Sequence, residues 1–170
     1  MGALIVLRIV HIGAGIFWAG GVMFMNFVIG PAIGSSGLEG VRVMQELHRR
    51  HFFHKILGAA LLTILAGLDL VRRDSAGFQS SWFHSPFGMG ISTGMIAAII
   101  AFLIGLFFIN PATNRMVALG GEMAQAGSPE ARAAILPRID AARARLIAFG
   151  MVGTLFILIA VLAMATARYW

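Results

Sequence analysis

The histidines of this chain are its first candidates for a functional site, because a neutral imidazole can ligate iron or a divalent metal ion. His11 lies in the first apolar run, where an ionisable side chain is costly and needs a partner. Two interpretations of His11 stay open: a hydrogen bond to a backbone carbonyl, or a ligand to haem b or copper. His84, which follows Trp82 and Phe83, is the second residue expected to bind a cofactor.

Three further histidines form the pattern H-x-x-H-x-x-H at His48, His51 and His54. On one continuous helix each successive histidine rotates by about 60°, and the first and third lie about 9 Å apart along the axis. The neighbouring Arg49 and Arg50 oppose binding of a divalent cation. The spacing therefore favours a basic collar that contacts lipid phosphate over a metal site.

Arg8 is the only formally charged residue of the first apolar run. Asp69 lies near the end of the second run, at about the depth of Arg8 if the two runs form antiparallel neighbouring helices. A charge inside a membrane span is normally paired. The sequence therefore predicts a structural ion pair between Arg8 and Asp69.

The elements that position these residues are predicted to be membrane-spanning helices. Of the 170 residues, 59% are hydrophobic and 12% are charged, whereas soluble domains approach about 25% charged residues. At about 20 residues for each crossing, the length allows four spans, at approximately 3–30, 51–71, 87–109 and 146–167. The predicted fold class is all-α, an integral membrane antiparallel four-helix bundle forming a single transmembrane domain. The absence of cysteine excludes disulfides, thiolate metal sites and iron–sulfur clusters.

Two connections between the spans are amphipathic. Leu38, Val41, Met44 and Leu47 recur every three residues, which predicts a short helix that lies at the membrane surface or extends the second span. The connection at 112–142 contains a helix start, with Ser128 as N-cap and proline at the first helical position.

The first and third spans end in similar phrases, FVIGPA at 27–32 and FINPA at 108–112. Pro111 is expected to help end the third span. The similarity is compatible with two related two-helix halves, arranged about an axis along the membrane normal. It is equally compatible with the independent use of proline at two helix ends.

Small residues at a spacing of four predict close packing of the third and fourth helices against each other or against a partner. They are Gly90, Gly94, Ala101 and Gly105 in the third span, and Gly150 and Thr154 in the fourth.

The distribution of positive charge predicts the orientation in the membrane. Nine lysines and arginines fall in the loops after spans one and three, and four lie on the opposite side. Both termini are therefore expected on the periplasmic side of a bacterial inner membrane. The side chains expected to contact lipid headgroups are Arg49, Arg50, Lys55, Arg143 and Arg145.

The phrase LRIVHI at 7–12, followed by FWAGG at 17–21, resembles the first span of small four-helix bacterial membrane proteins of the copper-resistance D superfamily. It is similar, more distantly, to the bacterial four-helix protoporphyrinogen oxidase. The resemblance implies a role for His11 in haem or porphyrin chemistry. Those families tend to carry a lysine in the third span, and this chain has none there.

The first function that the sequence favours is a non-catalytic integral subunit, packed within a larger membrane complex such as an energy-transducing one. Its expected partners are membrane lipids and other membrane subunits, and not nucleic acid despite the net charge of +6. No catalytic set of residues and no metal site can be assigned. The alternatives are a haem b or copper-binding membrane protein that uses His11, and a small porphyrin-oxidising membrane enzyme.

Overall fold

The computed structural model describes residues 2–170, except for the side chain of Leu38, so the predicted place of Leu38 in the amphipathic stripe lies outside the described residues. Four helical stretches are long and apolar enough to cross a membrane: Gly2–Ser35, Phe52–Asp74, Pro86–Gln125 and Pro129–Tyr169. The described residues contain no strand. The predicted all-α membrane helical bundle is confirmed.

The elements of the first half are two long helices joined by shorter ones. They are α1 (Gly2–Phe24), a first π turn (Met25–Ile29), α2 (Gly30–Ser35), α3 (Gly37–Arg49) and α4 (Phe52–Asp74).

The elements of the second half follow nearly the same order. They are α5 (Ser80–Phe83), α6 (Pro86–Ile104), a second π turn (Gly105–Ile109), α7 (Asn110–Gln125), α8 (Pro129–Thr166) and a final 3-10 turn (Ala167–Tyr169).

Pro111 does not end the helix of the third span, contrary to the expectation that it would help to do so. A proline inside a helix lacks an N–H group and clashes with the carbonyl four residues earlier. In the first and third spans alike, a π turn ends two residues before the proline, and the helix continues beyond it. The amide of Gly30 donates to the carbonyl of Met25, five residues back. The wider turn accommodates the proline within a continuous helix.

The shared π turn and proline make the first and third spans alike in structure as well as in sequence. Each then continues into a helix outside the predicted span. This likeness favours the interpretation of the chain as two related halves.

The two connections join the spans that follow them in different ways. The amphipathic helix α3 is separate from α4, because His51 between them has a left-handed backbone with a φ of 57°. In contrast, α8 joins the second connection and the fourth span in one helix with Pro137 inside it. The predicted cap is confirmed, since the Oγ atom of Ser128 accepts a hydrogen bond of 3.2 Å from the amide of Ala131.

The helices pack most extensively as two pairs, α1 with α4 and α6 with α8. The core between the pairs contains small, aliphatic and aromatic side chains, among them Trp18, Ala60, Ala97 and Ile157. A second apolar cluster lies between α7 and the first half of α8, around Leu119 and Ile135. The contacts between the pairs are fewer, and the cavities of the molecule lie there.

Candidate functional site

His11 is held by α4 through a hydrogen bond and a glycine. Its Nδ1 atom lies 2.8 Å from the carbonyl oxygen of Thr63, so Nδ1 is the donor. A Cβ atom at Gly67 would lie 2.8 Å from the Cε1 atom of His11. The glycine therefore leaves the space that the imidazole fills, and no described hydrogen bond involves Nε2.

The predicted ion pair between Arg8 and Asp69 does not form. Both carboxylate oxygens of Asp69 are bound by its own helix, at 2.8 Å by Arg72 and at 2.9 Å by Arg73. The arginines lie three and four residues after the acid, which brings all three side chains to one helix face. Within residues 2–170, Arg8 is exposed and makes no ion pair.

His84 is bound within its own segment, since its Nδ1 atom lies 2.8 Å from the carbonyl oxygen of Ser80. The described hydrogen bonds and ring contacts of His84 do not include His11. Their joint role in cofactor binding stays a prediction.

The histidine string is not on one continuous helix, so the separation of about 9 Å estimated from helical rise does not apply. The chain turns at His51, and the ring centroid of His54 lies 6.2 Å from that of His48 and 5.9 Å from that of His51. Across the described part of the chain, no group of three histidine, aspartate or glutamate residues could hold a metal ion.

The small residues of α6 lie against α8 and the turn that follows it. A Cβ atom at Gly90 would lie 2.9 Å from the Cα atom of Ala167, and one at Gly94 would lie 3.0 Å from the carbonyl oxygen of Ala160. Ala101 is buried in the core, whereas a Cβ atom at Gly105 would meet nothing within 4 Å. Gly90 and Gly94 therefore let the two helix backbones approach closely.

Gly150 and Thr154 hold Asn26, a side chain for which the sequence alone predicted no role. The Nδ2 atom of Asn26 donates to the carbonyl oxygen of Gly150 at 2.9 Å and to the Oγ1 atom of Thr154 at 2.6 Å. A Cβ atom at position 150 would lie 2.6 Å from Oδ1 of Asn26. An amide inside an apolar run was the available signal, because such groups bond across helices in membranes.

The basic residues predicted to contact lipid fall into different environments. Arg49 and Arg50 bind Glu46 at 2.8 Å and 2.6 Å, and these hydrogen bonds lower the pKa of Glu46 from 4.5 to about 2. Lys55 and Arg145 are exposed, whereas Arg143 is half-buried and lines a cavity.

That cavity, the inner cavity, has a volume of about 560 Å³ and lies among the first π turn, α2, α3, α7 and the middle of α8. A smaller cavity of about 90 Å³ between the helix pairs shares Asn26, Phe53 and Ile109 with it. The larger volume falls in the range of small-molecule sites. Five of the ten methionines line it: Met25, Met44, Met116, Met123 and Met151.

Four polar side chains line the inner cavity: Asn26, Thr113, Asp140 and Arg143. The sequence alone predicted Arg143 at the lipid surface and predicted no role for the other three. These residues lie between positions 26 and 143 and come from different helical segments, so no local spacing connects them.

Comparison of the chain with protein-family models, with curated proteins and with solved structures finds no match. The fold and this site define a multi-pass helical membrane protein with an apolar inner cavity that carries a few polar groups.

Proposed function

We propose that this chain is a non-catalytic integral membrane subunit that packs against other membrane proteins through the outer face of α1. The observation that supports this proposal is the low burial of the first span. Only 6% of its most apolar stretch is buried inside the bundle, against 33% for the last span. α1 packs extensively on α4 alone, so most of its surface is left for lipid or for a partner.

The outer face of α1 has features of a helix-packing surface. Gly13 and Gly20 lie two helical turns apart, and a Cβ atom at either would meet nothing within 4 Å. The exposed side chains Ile9, Ile16 and Phe24 surround them. Interfaces between membrane helices are enriched in small residues, because these let the backbones approach. A partner helix would find such a groove here.

Arg8 on α1 indicates that a partner at this face would carry a polar group. It is exposed and forms no ion pair with residues 2–170. Since charged residues near a membrane interior are normally paired or reach the headgroups, an acidic side chain of a partner would satisfy Arg8.

The proposed location is the bacterial inner membrane, with both termini periplasmic, on the basis of the charge asymmetry of the loops. The chain has no cysteine, so single-cysteine variants test it directly. A membrane-impermeant thiol reagent applied to intact spheroplasts should label Gln79→Cys and not Gly127→Cys. Labelling of Gly127→Cys alone would reverse the orientation.

The subunit proposal is tested by substitution on α1. The double variant Gly13→Leu, Gly20→Leu should reduce co-purifying membrane proteins at least fivefold in native mass spectrometry of gently solubilised membranes. Gly58→Leu is the matched control, because Gly58 is an exposed glycine of α4 at which an added Cβ atom would meet nothing within 4 Å. Equal recovery of partners by the double variant would contradict the proposal.

A second candidate function, a haem b or copper-binding membrane protein, is favoured by the geometry of His11. A histidine that ligates a metal normally donates its other ring nitrogen to a carbonyl or a carboxylate, and Nδ1 of His11 donates to Thr63. Nε2 would be the ligand atom. Purified protein should then absorb near the Soret band or contain copper, with loss of either in His11→Ala and retention in the control His54→Ala.

A further inference from the structure

The inner cavity changes in chemistry along its length. On α8, Asp140 and Arg143 lie in the middle of the lining, after Leu136 and Ile139. Leu146, Ile147 and Met151 follow on the same helix and carry the lining about 12 Å deeper into the bundle, at 1.5 Å per residue. Two charged side chains beside an apolar section of this length match an amphiphilic molecule whose headgroup lies at the charges.

Asp140 and Arg143 differ from the other pairs in this chain in which an arginine follows an acid by three residues. Three other acids are followed three residues later by an arginine, and in all three the pair forms an ion pair of 2.8–2.9 Å. These pairs are Glu39 with Arg42, Glu46 with Arg49, and Asp69 with Arg72. The same spacing in Asp140 and Arg143 gives no ion pair.

The side chain of Arg143 lies against α2. A Cβ atom at Gly34 would fall within 2.6 Å of the Cζ atom of Arg143, so the guanidinium lies directly on the glycine backbone. No hydrogen bond joins Arg143 to residues 2–170. The positive and negative groups therefore line one cavity as separate charges.

Thr113 is an exception among the hydroxyl side chains. Thr63, Ser92 and Thr166 each donate to the carbonyl four residues earlier, which is the usual way to satisfy a hydroxyl in a membrane helix. Thr113 is 1% exposed, lines the inner cavity, and its Oγ1 atom has no hydrogen-bond partner. An unpaired buried hydroxyl costs free energy unless a ligand accepts from it.

We propose that the inner cavity binds one phospholipid with a zwitterionic ammonium-phosphate headgroup. The phosphate is bound by the guanidinium of Arg143, whose planar fork matches phosphate oxygens. The ammonium group is bound by Asp140. The hydroxyl of Thr113 donates to an ester carbonyl, and one acyl chain runs along Ile147 and Met151.

Two features favour a membrane phospholipid over a water-soluble ligand. The cavity lining is mainly apolar, and the amphipathic helix α3 contributes Val41 and Met44 to it. Lipid headgroups surround such a helix in a membrane. A purely anionic lipid would satisfy Arg143 but would bring negative charge close to Asp140, so the separated charges select a zwitterion.

The test is native mass spectrometry of the full chain, reconstituted in turn with phosphatidylethanolamine and with phosphatidylglycerol vesicles and then gently solubilised. We expect one retained phosphatidylethanolamine per chain and at least tenfold less phosphatidylglycerol. Arg143→Gln should reduce the retained lipid about tenfold, whereas the control Arg145→Gln, at an exposed site outside the cavity, should not. Asp140→Asn should abolish the preference for phosphatidylethanolamine.

Other outcomes would overturn the proposal. Equal retention of both lipids by the unaltered chain would contradict the proposal that Asp140 binds the ammonium group of the headgroup. Retention of water-soluble phosphoethanolamine at the same level, or of palmitate in preference to either lipid, would identify a different ligand. If Arg143→Gln fails to fold, Thr113→Val serves as a second variant, and unchanged lipid retention in it would contradict the predicted hydrogen bond. The α1 double variant tests the subunit proposal separately and should leave lipid retention unchanged.

Discussion

The two ends of the bundle differ in how their polar side chains are satisfied. At the closed end, the polar side chains of His11 and Thr63 each have a partner within the chain. At the open end, Asn26 bonds α8, whereas Thr113, Asp140 and Arg143 line the inner cavity without a partner. The closed end joins helices through its polar groups, and the unpaired groups of the open end are the ones to which we assign a ligand.

The cause of this difference lies in the backbone. At the closed end, glycines bring α6 onto α8 and α1 onto α4. Towards the open end, the first and third spans each contain a π turn followed by a proline. The helices that follow these turns, α2 and α7, both line the inner cavity.

The largest expected effect is overpacking at the closed end, which also contains Gly94. Gly94→Leu should destabilise the fold by about 3 kcal/mol, because the new side chain meets Met164 and the carbonyl oxygen of Ala160. Reversible unfolding by SDS in mixed micelles measures this change. Gly58→Leu, at an exposed site, should change the free energy of unfolding by less than about 0.5 kcal/mol. Similar losses in both variants would mean that the closed end is not tightly packed.

A smaller effect is expected for His11→Leu. The variant loses one hydrogen bond between helices, which in membranes contributes about 0.6 kcal/mol and at most about 1.7 kcal/mol. The same SDS unfolding assay detects it, with the lipid-facing Ile12→Leu as control. An increase in stability would indicate that His11 is retained for a ligand and not for packing.

The comparison is sharpest between two threonines. Thr63→Val removes a hydroxyl that donates to Ala59 at 2.8 Å and should cost about 1 kcal/mol. Thr113→Val removes a buried hydroxyl without a partner and should cost nothing or stabilise the protein freed of lipid. A loss at Thr113 equal to that at Thr63 would remove the distinction between the two ends.

The smallest effect concerns α3, which covers the inner cavity. Arg49 and Arg50 lower the pKa of Glu46 to about 2. The ionised carboxylate therefore stabilises the folded state fully when the pH is above 4.5, the ordinary pKa of the group. That contribution is lost as the pH falls from 4.5 through about 2. Carbon-13 NMR titration of Glu46 measures the shift, which should shrink in Arg49→Gln and at high salt. An unshifted pKa would contradict the pairing.

The fold was predictable from the sequence because each apolar run carries its own signal of length and hydropathy. The N-cap at Ser128 was predictable for the same reason, since a cap depends on its immediate neighbours. The continuation of the third helix beyond Pro111 was not predictable from the sequence. Proline predicted its end, and the π turn before Pro111, a backbone adjustment of five residues, carried the helix onward.

The sequence by itself determined that lipid is the solvent of four helices and that polar groups within them need partners. Only the tertiary structure decided which partners they have. Asp69 forms ion pairs with Arg72 and Arg73 instead of Arg8, and Asn26 donates a hydrogen bond to the backbone of α8. The tertiary structure also left Asp140 and Arg143, three residues apart on α8, unpaired in the lining of the inner cavity. The physical reason is that a partner depends on distances between helices, whereas a span depends only on its own side chains.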